Sequence, residues 1–161
     1  MAPSTRRLIP VLAAVVVCQG LAASQHAKTR LVSVYFGCVA VPYDAQVVVT
    51  ESFPDAQFGY VQLPGDVRKV SWAAGVVSSR LDSASNFATT TTNRGDELRY
   101  VGFDHSGERG YIAQVGRVQL SIVGDSKSDL DHLLSIARAV RMDLASDQCA
   151  RAEVRVGKPA F

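Results

Sequence analysis

The chain has 161 residues, 47% of them hydrophobic and 20% charged, with a formal net charge of +2. A chain of this size buries enough apolar surface to fold as one domain, so neither a metal nor a set of disulfides is obligatory. The positive excess lies in Arg6 and Arg7, and from residue 24 onward the cations only balance the acids and are scattered, which excludes the basic stripe of a nucleic-acid binder.

Residues 1–23 read as a signal peptide. Arg6-Arg7 precedes an apolar run from Leu8 to Val17 and a small-residue exit, Gly20-Leu21-Ala22-Ala23-Ser24, and the apolar stretch is too short to span a bilayer comfortably. Cleavage after Ala22, Ala23 or Ser24 is expected, leaving a single exported domain over 24–161 in an extracytoplasmic compartment, secreted or periplasmic. Three alternatives stay open. Thr5-Arg6-Arg7 resembles the core of a twin-arginine signal, although Pro10 and Val11 depart from that pattern. Acylation of Cys18 calls for a small residue where Val17 stands. An uncleaved segment over residues 8–23 would anchor the chain, and membrane contact is expected through this segment alone.

From Leu31 to Val41 the sequence LVSVYFGCVAV is rich in β-branched and aromatic residues, and Gln46 to Phe53 reads QVVVTESF. Both are predicted strands, and Pro42-Tyr43-Asp44-Ala45 between them predicts a turn, hence a hairpin. In an oxidising compartment Cys38 and Cys149 are expected to form one disulfide, closing a loop of about 110 residues and contributing up to ~4.7 kcal/mol through chain entropy. Two separate thiols are the alternative.

A third short strand is predicted over Phe58 to Leu63, bracketed by Pro54-Asp55 and Pro64-Gly65-Asp66. Val67 to Leu81 fits two periods. Val70, Trp72, Ala74 and Val76 alternate, whereas Val67, Val70, Ala74, Val77 and Leu81 make a helical stripe interrupted by Gly75; strand is preferred at the start. Thr89 to Thr92 suits an extended edge or a loop.

Leu98 to Phe103 and Gly110 to Val115 flank the turn residues Asp104-His105-Ser106-Gly107. Gly116-Arg117 then fits a two-residue turn with glycine first, after which Val118, Leu120 and Ile122 alternate with Gln119 and Ser121. These segments predict a three-stranded meander with one apolar face. Ser126-Lys-Ser-Asp129 is a capping signal. Leu130, Leu133, Leu134, Ala137, Val140 and Leu144 recur at three and four, predicting an amphipathic helix over Ser128 to Ala145, with His132 as a solvated helix residue. A terminal strand is expected over Ala152 to Val156. The fold class is α+β: an antiparallel sheet of about six or seven strands with the C-terminal helix packed on one face.

The segment Arg109 to Asp125, followed by Ser128 to Val140, resembles the closing hairpin-and-helix unit of small exported bacterial sensor and lipoprotein domains, of the outer-membrane lipoprotein-carrier type and the periplasmic domains of anti-sigma regulators. The resemblance covers roughly a quarter of the chain and is structural in kind. It implies a β-sheet platform that binds an apolar molecule or another protein, and it carries over no functional residue.

Asp104-His105-Ser106 contains the residue types of a catalytic triad, but adjacent residues cannot make the through-space relay, and the stretch reads as a polar hairpin tip. No G-x-S-x-G elbow occurs, and neither Cys38 nor Cys149 has a nearby histidine in sequence to mark a nucleophile. Asp104, His105, Glu108, Asp129, Asp131 and His132 lack the spacing of metal ligands, so neither metal nor cofactor is expected. The aromatics Tyr35, Phe36, Phe53, Phe58, Tyr60, Trp72, Tyr100, Phe103 and Tyr111 concentrate in the predicted strands, as core or as the lining of a lipid groove. The function expected is an exported non-enzymatic binding or interaction module of unknown ligand, its partner an extracytoplasmic protein or an apolar ligand. A carrier of lipid or another apolar ligand is the alternative, and a hydrolase with a dispersed site the third.

Overall fold

The computed structural model describes residues 28–75, 81 and 86–155. Residues 1–23, expected as a signal peptide or an uncleaved anchor and including Cys18, lie outside the described residues, as do Val76, Val77 and Val156. In chain order the strands are β1 (Thr29–Ser33), β2 (Cys38–Pro42), β3 (Gln46–Ser52), β4 (Ala56–Gln62), β5 (Val70–Gly75), β6 (Ala88–Thr91), β7 (Glu97–His105), β8 (Glu108–Val115) and β9 (Val118–Val123). Helix α1 (Lys127–Ala137) follows, then β10 (Val140–Arg141), a single 3-10 turn (Ser146–Gln148) and β11 (Glu153–Val154).

The strands form two sheets, one ordered β1-β2-β10 and one ordered β11-β3-β4-β5-β9-β8-β7-β6. All strand pairings are antiparallel except that of β11 with β3. The class is α+β with sheet predominant. Among the described residues no helix is long and apolar enough to cross a membrane.

Directly opposed residues in an antiparallel ladder share a face. The row Val49, Gly59, Trp72, Leu120, Ala113 and Tyr100 therefore lies on one face of the large sheet. That inner face belongs to one buried cluster with Val32, Val39 and Val41 of the small sheet and Leu133, Leu134, Ile136 and Ala137 of α1. Each such side chain, fully buried, contributes roughly 1.5–3 kcal/mol before ordering is charged against it. Gly59 is required by this packing: a Cβ there would overlap the Val48 carbonyl oxygen and come within 2.7 Å of the Trp72 ring. The opposite face is not bare, since Ile112, opposed to Val101 and Ser121, is only 3% exposed.

The helix begins as its cap predicts. The Ser126 side chain accepts from the Asp129 N–H, and the Asp129 carboxylate accepts from the Ser126 N–H in return, a capping box. It ends at Ala137 rather than Ala145, a correction with a tertiary cause. The Asn93 N–H donates to the Arg138 carbonyl at 2.8 Å and the Ala40 N–H to the Ala139 carbonyl at 2.9 Å. These bonds hold the chain as it leaves the helix and lead it into β10, paired with β2. Val140 is buried there as a strand residue, so the period of three and four overran the helix.

Two further expectations are corrected. Leu31 to Val41 is not one strand but two, β1 and β2, folded back through a tight turn in which the Val34 N–H donates to the Gly37 carbonyl at 3.0 Å and Tyr35 adopts φ 71°. Glycine is required at position 37, because a Cβ there would sit 2.8 Å from the Arg141 carbonyl oxygen. Pro42 to Ala45 does turn, with the Ala45 N–H on the Pro42 carbonyl at 3.0 Å, yet β2 and β3 leave it into different sheets and make no hairpin. Among the described residues the expected six or seven strands become eight in the large sheet and three in the small one.

Candidate functional site

After β10 the chain runs along both sheets in turn. The Ser33 N–H donates to the Ala150 carbonyl at 2.8 Å and the Ala150 N–H to the Leu31 carbonyl at 3.0 Å, so Ala150 covers the free edge of β1. Glu153 and Val154 then lie beside Val48 and Val49 of β3, and the Arg155 N–H donates to the Val49 carbonyl at 3.1 Å. The tail thus laces an edge of the small sheet to an edge of the large one. Cys149 fastens it: the structure pairs Cys149 with Cys38 of β2, Cα to Cα 6.3 Å, and Cys38 is fully buried.

An open cleft of about 420 Å³ lies beside this tail, walled by Ser33 and Tyr35 on one side, Val49 and Gln57 on another, and Asp147, Cys149, Arg151 and Val154 of the tail. Tyr35 is held in place by its hydroxyl, which donates to the Pro54 carbonyl at 2.7 Å. Among the described residues neither Asp147 nor Arg151 has an ion-pair partner, so one acid and one cation stand ready at the cleft wall. A second groove of about 340 Å³ follows Val49 to Phe53 and shares Val49 and Val154 with the first. Phe53 is 50% and Val154 65% exposed, an apolar ridge at the sheet edge.

A second polar assembly stands where α1 begins. Asp66, in the β4–β5 connection, takes a forked pair from Arg68, Nη2 to Oδ2 at 2.7 Å and Nε to Oδ1 at 3.0 Å. Arg68 reaches on to α1, its Nη1 donating to the Ser128 carbonyl at 3.2 Å, the Ser128 hydroxyl at 3.1 Å and the Asp129 carboxylate at 3.2 Å. His132 lies behind, Nδ1 3.4 Å from Asp66 Oδ2, its side chain 7% exposed. His132 is therefore buried, not solvated as expected. Bonding to Arg68 holds the Asp66 carboxyl well below the usual range and raises the guanidinium. Bonding to Ser126 lowers Asp129, and burial lowers His132.

The other candidates from the sequence are dispersed. Asp104 and His105 lie in β7, and the turn itself is Ser106-Gly107, both with positive φ. Asp104 pairs with Arg109, Asp131 with Lys127 and His132 with Asp66, and among the described residues no three His, Cys, Asp or Glu side chains gather as a metal site. Asp66, Arg151 and Asp147 carry no local signal that could have singled them out; the capping motif at Ser126 and Asp129 did mark one end of the polar assembly.

No family model, curated protein or solved structure matches the chain.

Proposed function

We propose that the protein is an extracytoplasmic, non-enzymatic interaction module that contacts a partner protein through the surface built by its disulfide-held tail. The observation that carries this reading is the cleft beside Cys149. Its wall mixes Tyr35, Gln57, Asp147 and Arg151 with Val49 and Val154, the blend of apolar and hydrogen-bonding groups that suits peptide and side-chain recognition. A lipid carrier needs an apolar cavity, whereas the space between α1 and the sheet is filled by residues such as Leu98, Leu120 and Leu133, each at most 2% exposed. The neutral balance of the chain from residue 24 agrees with a partner that is not a polyanion.

The test places a photo-crosslinking residue at Val154 in cells exporting the full chain, with a control at Thr89 on the far edge strand. A partner protein joined at Val154, absent at Thr89 and lost on combining Asp147→Lys with Arg151→Glu, is the expected result. Copurified lipid in the native mass spectrum with no such crosslink establishes the carrier instead.

A further inference from the structure

We propose that His132 makes the seam between α1 and the β4–β5 connection an acid-sensitive latch, closed while the imidazole is neutral and opened when it takes up a second proton.

The geometry is unusual for a histidine on an amphipathic helix. Nδ1 faces the Asp66 carboxylate at 3.4 Å, and this neighbour selects the neutral tautomer with its proton on Nδ1. Nε2 is sealed from solvent and has no hydrogen-bond partner. As a bare acceptor it is tolerated. As an N–H it would be a buried donor, on a charged ring, aimed where no acceptor stands, and burying such a group unpaired is costly. A proton can be accommodated on Nε2 only by letting water in, which means lifting α1 from the turn it covers.

The surrounding charges do not relieve this. From the β4–β5 connection Asp66 favours the imidazolium and Arg68 opposes it; from α1 itself Asp129 favours it. Both carboxylates are already engaged by Arg68. Lys127 and Asp131 pair with each other on the exposed side of the helix. From β8 and β9 the inner-face residues Tyr111, Ala113, Leu120 and Ile122 carry no charge, nor do Val39 and Val41 of β2. Burial is the largest influence and holds the ring below its ordinary 6.5. A folded-state value below the unfolded one places the effect: stability is whole above pH 6.5 and is lost as pH falls from there toward the folded value. The Asp66 and Asp129 carboxylates, both lowered from 3.8, act in a separate, more acidic window.

The test follows urea unfolding by the fluorescence of Trp72, the single tryptophan, from pH 7.5 to 4.5. In the unaltered protein the unfolding constant is expected to rise below pH 6.5 with a slope of up to about tenfold per pH unit, the limit for one proton. His132→Gln removes that rise, and His105→Gln, at an exposed position beside a hairpin tip, keeps it. Should His132→Gln not fold, the imidazole is titrated by NMR in the unaltered protein while amide exchange is read along Ser128 to Leu133. A ring that stays neutral below pH 6.5, with exchange in α1 quickening as it protonates, supports the latch. Equal slopes in the unaltered and His132→Gln proteins, or a ring titrating at its ordinary value with α1 still protected, overturn it.

Discussion

Replacing Cys149 by serine, with Cys38→Ala to avoid stranding a buried thiol, tests whether the bridge holds the tail. The bridge closes a separation of 111 residues, for which loop-closure entropy alone gives about 4.8 kcal/mol. The tail's own ties are weak by comparison. Fixing each residue from Ala150 to Arg155 costs roughly 1–2 kcal/mol, whereas each backbone bond to β1 or β3 returns only about 0.5–1.5 kcal/mol. Most of these residues are exposed and add little burial. Without Cys149 the tail is expected to leave both sheet edges, and the domain to lose about 3–4.8 kcal/mol. With a urea m-value near 1.5–2 kcal/mol/M, the midpoint read by Trp72 fluorescence falls by roughly 1.5–3 M. Limited trypsin digestion should meanwhile cut at Arg151 and Arg155 long before the core yields. A midpoint shift below about 0.5 M, with the tail still protected from trypsin, would show instead that the β1 and β3 contacts hold the tail unaided.

Gly59→Ala forces a methyl against the Val48 carbonyl and the Trp72 ring, and is expected to cost about 3 kcal/mol, a fall in Tm on the order of 10 °C by calorimetry; unchanged melting would contradict the strand spacing. Ser126→Ala removes the side-chain half of the capping box and should cost about 1 kcal/mol, whereas Ser126→Gly should cost only a few tenths, a contrast that denaturant curves resolve. Leu133→Ala, at a fully buried position, is expected to lose about 2–5 kcal/mol in the same assay. Because Asp66 and Asp129 both hold their charge more firmly in the fold than in the unfolded chain, their contribution is present above pH 3.8 and drains below it. Acid unfolding should therefore steepen in that range and lose part of its steepness in Arg68→Met.

Local pattern was enough where the chain's own turns set the pairing. Gly116, at φ 54°, makes the two-residue reversal that aligns Val115 with Val118, and the alternating Val118, Leu120 and Ile122 are the buried residues of β9. Three of the four threonines behave likewise: Thr89 to Thr91 pair on one side only among the described residues, at the outermost position of the large sheet, whereas Thr92 is buried in the turn that follows. Pattern failed where a distant segment decided the outcome. The run from Leu31 to Val41 has no proline or paired glycine to announce a reversal, and the neighbour that demands glycine at 37 is Arg141, more than a hundred residues away. The overlong helix fails for the same reason, since nothing near Arg138 in sequence reveals that Asn93 and Ala40 will take its closing carbonyls.

The candidate sites are harder still, because their defining ties all reach across the chain. Arg68 meets Asp129, His132 meets Asp66, and Cys149 meets Cys38. In each case a residue from Ser126 onward closes upon one in the first half of the chain. His132 illustrates the consequence. Its neighbours along α1 describe an ordinary helix position between Asp131 and Leu133, and only the β4–β5 connection turns it into a buried base with one nitrogen engaged and the other sealed. The same holds at the cleft, where Arg151 gains a role only because the bridge to Cys38 carries it to Tyr35 and Gln57. The two ties also answer to different variables, since a disulfide is indifferent to a proton on an imidazole. Acid that loosens α1 through His132 should leave the tail in place, so crosslinking at Val154 is expected to persist at a pH where α1 amides already exchange. Loss of both together would mean the last quarter of the chain opens as one cooperative unit.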